Sequence, residues 1–273
     1  NLPVSITAAG GTGYTGLSVN SKITSTAGVE AMISGTPILT DDIRWDVSFN
    51  FGRFKKTVDF IYEGIERNIL DSWLSWSSMD LQEIVGQEWG MLYGRKRLKD
   101  DAGNWVLYNS GNHRYTNNTL LGNIMPDFTG GITSTLQYKN WDFAVGIDFQ
   151  EGGLYHSVTD MFSMAAGLHE YTAGLNDKGN PKRDAVSAGG GIHQVGVKLD
   201  GSVHDLYRAP DSWAWGNWTR DDLWLVDASF VKLRQVRIGY TFDNDQLNNT
   251  PFDAINIALI GTGSTLLGSM LLI

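Results

Sequence analysis

Residues 141–149, WDFAVGIDF, alternate strictly between large apolar and small or acidic side chains. Trp141, Phe143, Val145, Ile147 and Phe149 fall on one side of an extended chain, and Asp142, Ala144, Gly146 and Asp148 on the other. At roughly 3.3 Å per residue the segment reaches about 30 Å, and a tilt near 40° lowers its height to about 23 Å, close to the apolar band of an outer-membrane barrel wall. A soluble antiparallel sheet with one wet face shows the same alternation, so this strand by itself leaves both architectures open.

The pattern recurs along the chain in pairs. In 28–39, Val29, Ala31 and Ile33 alternate with Glu30, Met32 and Ser34. After Pro37 and the turn residues Asp41 and Asp42, IRWDVSFNF sets Trp45, Val47, Phe49 and Phe51 against Asp46, Ser48 and Asn50, which predicts a first hairpin. Residues 128–151 predict a second, with Ile132, Ser134, Leu136 and Tyr138 on one face and a very tight turn at Lys139 and Asn140. The third joins 226–242 to 252–261 through a turn over 244–251, and the apolar phase slips by one residue between Leu233 and Val236, as at a β-bulge. The closing TGSTLLGSMLLI fits no clean strand.

Between these pairs the pattern lapses. Residues 59–127 carry Trp73, Trp76 and Trp89 among polar residues and predict only a small hairpin turning at Asp100–Asn104. Residues 152–225 hold Pro181, Gly189-Gly190-Gly191, Pro210 and the cluster Trp213, Trp215, Trp218 and Trp224, and read as one long loop of the kind that usually carries function. Three short connections alternating with stretches of about 70 to 75 residues are how outer-membrane barrels are built, with tight turns on one side and long loops on the other. Chain direction then requires 59–127 to contribute none or two crossing strands. The expectation is an all-β fold: part of an antiparallel transmembrane β-barrel, about 6–8 strands of about 22, plus any strand from the N-terminal residues. The strand at 252–261 would end away from the short-turn side, so the barrel is expected to be incomplete, with the remainder preceding Asn1.

Composition narrows the class. The 273 residues include 32 glycines, 10 tryptophans, 10 tyrosines and 11 phenylalanines, which favours sheet and turns over helix bundles. A net charge of -9 argues against non-specific nucleic-acid binding, and the absence of cysteine removes disulfides and thiol chemistry. No run of 18 apolar residues is present to form a membrane-spanning helix, which leaves a strand-built wall open.

Candidate chemistry is sparse. Gly11, Gly13 and Gly16 match the spacing of a dinucleotide fingerprint, but LSVNSKITST after them has no helical period, so a glycine-rich loop between strands is expected. Asp41 and Asp42 read as turn residues, and DDAGN at 100–104 lacks the distal Glu of a calcium loop. His113, His156, His169, His193 and His204 show no metal-ligand spacing, and no cofactor or metal is implied. Asp221 and Asp222, flanked by Trp218 and Trp224, are the only carboxylates that suggest a glycosidase, which needs two carboxyls about 5 to 9.5 Å apart. A soluble β-sandwich carbohydrate-binding module or a glycosidase is therefore the alternative to the barrel. Asn117, Asn217 and Asn248 open glycosylation-like triplets that matter only in a eukaryotic secretory setting.

The blocks TGYTGLSVNSKITSTAGVEAMISGTPI, IRWDVSFNF, EWGMLYGRKRLKDDAGN, MPDFTGGITSTLQYKNWDFAVGIDFQEGGLYHSVTDMF and WLVDASFVKLRQVRIGYTF with INIALIG, taken in order, resemble the C-terminal part of the SusC/RagA family of TonB-dependent outer-membrane transporters of Bacteroidetes-type bacteria. Nothing here resembles that family's plug, TonB box or small N-terminal domain, and Gly261, Thr262 and Gly263 stand where an Arg-Asn-Leu continuation is usual. The resemblance implies 1–273 as part of a plugged barrel in the bacterial outer membrane. It implies import of an oligosaccharide or peptide without covalent chemistry, capture shared with a SusD-like surface lipoprotein, and coupling to TonB through a plug outside this sequence. Within that frame Trp213, Trp215 and Trp218 are the candidate ligand or partner contacts, because indole faces stack on sugar rings and dominate interfaces. Trp45, Trp141 and Tyr240, near predicted strand ends, are candidates for the aromatic girdle at the membrane boundary.

Overall fold

The computed structural model describes residues 2–7, 11, 13–14, 16–72, 77–248 and 250–267, with backbone alone for 2–7 and 264–267. Trp73, Trp76 and the last six residues of the tail lie outside the described residues. The chain divides into two compact units. One comprises Asn1–Ser25, Thr57–Ile124 and Leu154–Asp227, and the other Thr26–Lys56, Met125–Gly153 and Ala228–Ile273.

The second unit is built on strands whose alternation is visible in the sequence. A seven-stranded antiparallel sheet runs in the order β1 (Leu2–Thr7), β2 (Gly16–Leu39), β3 (Ile43–Phe60), β8 (Phe128–Tyr138), β9 (Trp141–Glu151), β14 (Phe230–Phe242) and β15 (Ile255–Leu267), of which β8, β9, β14, β15 and the larger parts of β2 and β3 belong to the second unit. All three expected hairpins form, and β1 adds the N-terminal strand. The order has two ends, so the described strands do not close on themselves.

Register turns the alternation of single strands into rows. Ile43, Tyr138, Trp141, Tyr240 and Ile257 lie side by side, then Trp45, Leu136, Phe143, Ile238 and Leu259, then Val47, Ser134, Val145 and Val236. Phe49, Ile132, Ile147 and Leu233 follow, then Phe51, Gly130, Phe149 and Val231. These five rows make one apolar face, about 26 Å along the strands at 3.3 Å per residue. A Cβ on Gly130 would run into the Phe149 ring, so the glycine makes room for a phenylalanine at the far end of the band.

The opposite face is polar and cross-linked. Arg237 Nε lies 2.6 Å from Asp142 Oδ2, Arg44 Nε 2.7 Å from Asp46 Oδ2, and Arg234 Nε 2.6 Å from Asp148 Oδ2. The register of β14 shifts between Leu233 and Gln235 against both β9 and β15, where the phase slip indicates a bulge. Arg234 is the extra residue, and the bulge is what lets it reach Asp148 without turning the downstream apolar positions over.

The three short connections all leave one end of this sheet. The two-residue turn at Lys139 and Asn140 is held by Lys139 at φ 51°, and by Asn140 Nδ2 donating to the Thr241 carbonyl at 2.9 Å and to Asp243 Oδ2 at 2.9 Å. The Lys139 amide donates to the Asp42 carbonyl at 2.8 Å, so neighbouring turns are tied together. One expectation is corrected: the chain after Gly261 remains a strand to Leu267, because backbone pairing with β14 sustains it where side-chain alternation fails.

The first unit holds its own core. Strands β4 (Arg67–Asp71), β5 (Asp80–Ile84), β6 (Met91–Arg97) and β7 (Tyr115–Asn123) form a separate four-stranded antiparallel sheet, so 59–127 adds no strand to the larger sheet. Between β6 and β7 the expected turn forms, with Asp100 Oδ1 accepting from the Asn104 amide at 2.7 Å. Residues 152–225 are not the irregular loop expected. They contain β10 (Leu154–His156) paired with β13 (Leu225–Asp227), the hairpin of β11 (Ile192–Val197) and β12 (Val203–Arg208), and two short helices, α1 (Val158–Ala165) and α2 (Pro210–Gly216). Eight and seven residues are too few to establish a helical period, so packing rather than pattern selects these helices. Met161 and Met164 of α1, Ile192, Trp213 and Ala214 of α2, and Trp224 bury one another.

Gly11 and Gly13 have φ of 97° and 78°, and Gly16 opens β2 rather than a helix. The glycine spacing therefore lies in the connection between two strands, and the helix N-terminus that a dinucleotide site requires is absent there.

A candidate ligand cleft and the aromatic rows

The first unit contains a cleft of about 680 Å³ among α1, the β11–β12 hairpin, α2 and the turn at 169–172. Its depth is set by one hydrogen-bond chain. Asn217, fully buried, donates from Nδ2 to the Trp213 carbonyl at 2.9 Å, which turns its Oδ1 toward His113. That oxygen accepts from the His113 backbone amide at 2.9 Å and lies 3.0 Å from Nδ1, so the His113 proton sits on Nδ1. His113 Nε2 is then an acceptor, and Gln194 Nε2 faces it at 3.4 Å. The amide orientation of Gln194 follows: its buried Oε1 has no hydrogen-bond partner, and the residue lines the cleft.

Burial pushes the His113 ring down to about 4, helped by the positive charge of Arg97 and Arg220 and opposed by the Asn217 bond. The ring is neutral at physiological pH and contributes no charge to the cleft. Trp105 meets it edge-on at 5.4 Å, Trp213 at 6.2 Å, and Tyr171 leans against Trp213 at 5.9 Å. Arg97 is the cation in the lining, and Asp222 neutralises it with Oδ2 3.0 Å from Nε. The carboxylates that remain are those of Asp160 and Glu170. His169 Nδ1 accepts from the Tyr171 amide at 3.1 Å, leaving Nε2 as the donor turned toward Asp160 at 3.9 Å. His193 on the rim lies between Asp177 Oδ2 at 2.9 Å and Asp205 Oδ1 at 2.8 Å.

The structure separates the three tryptophans that the sequence grouped. Trp213 is 7% exposed, a core residue whose edge reaches the cleft. Trp215 is 59% exposed and stacks on Trp218 at 4.6 Å and 17°, with Phe162 edge-on to Trp218 at 4.9 Å. The sequence did not single out Gln194, Glu170 or His113 as a group; they are distant in sequence, and only the hydrogen-bond chain joins them.

Asp221 and Asp222 serve the backbone. Asp221, fully buried, accepts from the Ser78 amide at 3.0 Å and the Arg95 amide at 2.7 Å, and burial pushes its carboxyl up. Asp222 accepts from the Arg97 amide at 3.0 Å as well as from its guanidinium. Both carboxylates thus clamp β6, an occupation that leaves neither presented as the free acid or base of a glycosidase. Among the described residues no cluster of three His, Asp or Glu is suited to a metal ion.

In the second unit Trp141, Tyr240 and Tyr138 are brought into a single row next to the tight turns, with Trp141 4.8 Å from Tyr240 and stacked on Phe143 at 6.1 Å. Gln246 Nε2 donates to the Tyr240 hydroxyl at 2.8 Å. Trp45 lies in the next row and its Nε1 donates to Ser134 Oγ at 2.9 Å. At the other end of the band Phe49, Phe51, Phe128 and Phe149 form a second aromatic group, with Phe51 and Phe128 5.6 Å apart.

No family model matches the chain, and no curated protein matches it. Solved structures do. The RagAB peptide importer in its "open-open" state superposes with a TM-score of 0.63 at 13% identity, over 94% of this chain and 27% of that one. The "closed-closed" state gives 0.61 at 15% identity with the same coverages, and a further structure of the RagAB peptide transporter gives 0.60 at 14%, over 94% and 28%. At such identities the likeness is one of fold, and this chain spans 27% of the importer chain. The expected likeness to the SusC/RagA class is thus present in three dimensions over nearly the whole of the sequence, and the proteins matched are a transporter, not an enzyme.

Proposed function

We propose that this chain is a C-terminal portion of a TonB-dependent, SusC-like importer of the bacterial outer membrane. The seven-stranded sheet would be a segment of barrel wall, with its apolar face toward lipid and its Arg–Asp cross-linked face toward the lumen. The observation that carries this reading is the five-row apolar face, aromatic at both ends and aliphatic in the middle, on a sheet whose short connections share one end. In water so large an uncovered apolar face is a liability, whereas a bilayer covers it. The RagAB superposition supports the same assignment, and the name of that importer favours peptide over oligosaccharide as cargo.

On this reading Trp45, Trp141 and Tyr240 belong to the girdle on the short-turn side, and the long connections 59–127 and 152–225 form external loops. Trp215, supported from behind by Trp218, is the contact offered to a SusD-like lipoprotein, while Trp213 acts from within the cleft. Energy coupling would come through TonB and a plug outside these residues.

The test is fractionation of the natural full-length product. It is expected in the outer membrane, soluble only in detergent, and to migrate differently on a gel before and after heating. A product that is monodisperse without detergent would overturn the proposal in favour of a soluble β-sandwich.

A further inference from the structure

We infer that the cleft of the first unit is a binding site for an organic cation: a protonated amine, amidine or guanidinium carried on an apolar or aromatic body. Three independent features agree on this class. First, the unpartnered atom is an acceptor. Asn217, His113 and Gln194 are locked in sequence, so Gln194, 7% exposed, cannot rotate its amide without losing the bond to His113, and its Oε1 requires a donor from outside. A buried carbonyl oxygen left without a donor is costly, and a ligand N–H removes the cost.

Second, the net charge left in the lining is negative. His113 is neutral, Arg97 is cancelled by Asp222, and the Glu170 carboxylate has no ion-pair partner among the described residues. Asp160 has only His169 at 3.9 Å. Lys99 and Lys182 stand outside the lining, 4.3 Å over Trp105 and 4.9 Å over Tyr171. An anion would meet Glu170 and Asp160 with no free cation in the lining to hold it. Third, the walls are aromatic. Lys99, Lys182 and Arg97, itself 4.3 Å over Trp105, show that rings in and around this cleft already face cations.

The inference concerns recognition by the first unit and does not rest on the membrane reading. Fractionation reports on the wall and a titration reports on the cleft, so the two fail separately.

Benzamidine, benzamide and benzoate share one shape and carry positive, zero and negative charge. Titrated calorimetrically into the full-length protein in detergent, benzamidine is expected to bind at least about tenfold more tightly than benzoate, with benzamide between them. Glu170→Gln, at an exposed site, is expected to weaken benzamidine about threefold and leave benzamide unchanged. Gln194→Leu is expected to weaken it about tenfold or more, with circular dichroism and protease resistance showing whether the unit stays folded. Benzoate binding as tightly as benzamidine, no binding of any of the three, or benzamidine affinity indifferent to Glu170→Gln would each overturn the inference.

Discussion

The two units solve the same problem in opposite ways. In the first, Val58, Ile61, Met79, Leu107, Met161, Met164 and Ala214 are each at most 2% exposed, and every fully buried hydrophobic side chain among the described residues belongs to it. In the second no apolar side chain of the described residues reaches that state. Leu259 is 77% exposed, Ile257 62% and Trp141 43%. The difference is not one of hydrophobicity, since the strands of the second unit are the more regularly apolar. It is one of where the apolar surface goes: the first unit folds it inward against helices and a second layer, and the second spreads it over one face of a single sheet. A sheet of that kind is stable only if something covers the face.

The comparison can be broken most sharply at a buried ion pair. Lys22 Nζ lies 2.8 Å from Glu83 Oε1, and the Glu83 side chain is fully buried. Lys22→Met should cost about 3 to 5 kcal/mol, because Glu83 is left charged and unpaired. Breaking the solvent-exposed pair Arg44–Asp46 of the second unit by Arg44→Met should change stability far less, because water screens both charges. Hydrogen exchange resolved by segment would read both, and equal losses would contradict the contrast.

Core truncation is the next test. Leu107→Ala, at a residue 1% exposed, is expected to destabilise the first unit by about 2 to 5 kcal/mol. Leu259→Ala, on the open face, should cost less than about 1 kcal/mol in the same exchange experiment.

A charge distinguishes lipid from water as the cover. Val145 lies in the middle of the five apolar rows, and Val145→Arg should cost about 2 to 4 kcal/mol if the face meets a bilayer, seen as loss of the heat-modifiable folded band. A face that meets water would accept the arginine with little change.

Acid should act on the first unit alone through His113. Its ring is held at about 4 in the fold against an ordinary 6.5, so in that window the unfolded chain binds the extra proton. The contribution of His113 to stability should be level above about pH 6.5, fall by up to about 3 kcal/mol as the pH drops toward 4, and level again below it. Pulse proteolysis of cleavage sites within 57–124 and 154–227 across this range, compared between the protein and His113→Gln, would isolate it, and the same pH profile in both would refute the assignment of a neutral buried ring.

The smallest expected effect is at Trp215. Being exposed, Trp215→Ala should change the stability of the first unit by about 1 kcal/mol or less, so any larger loss in capture of a partner lipoprotein would reflect contact and not folding.

Period-two alternation determined the second unit from sequence alone. With one face apolar, a slip by one residue would invert every side chain, so Trp45, Phe143 and Ile238 could lie on only one face and the bulge near Leu233 announced itself as a phase error. The tight turn at Lys139 and Asn140 and the turn at Asp100–Asn104 were legible for the same local reason. The first unit was not legible. Its helices are too short to carry a period, its strands too short to alternate convincingly, and the residues of its helical core come from separate segments between Met161 and Trp224. The cleft lay further still from the text: Asn217, His113 and Gln194 acquire their roles only because each fixes the hydrogen-bond direction of the next. Local backbone geometry writes itself into adjacent residues, whereas a packed core and the acceptor it leaves open depend on which distant side chains come to touch.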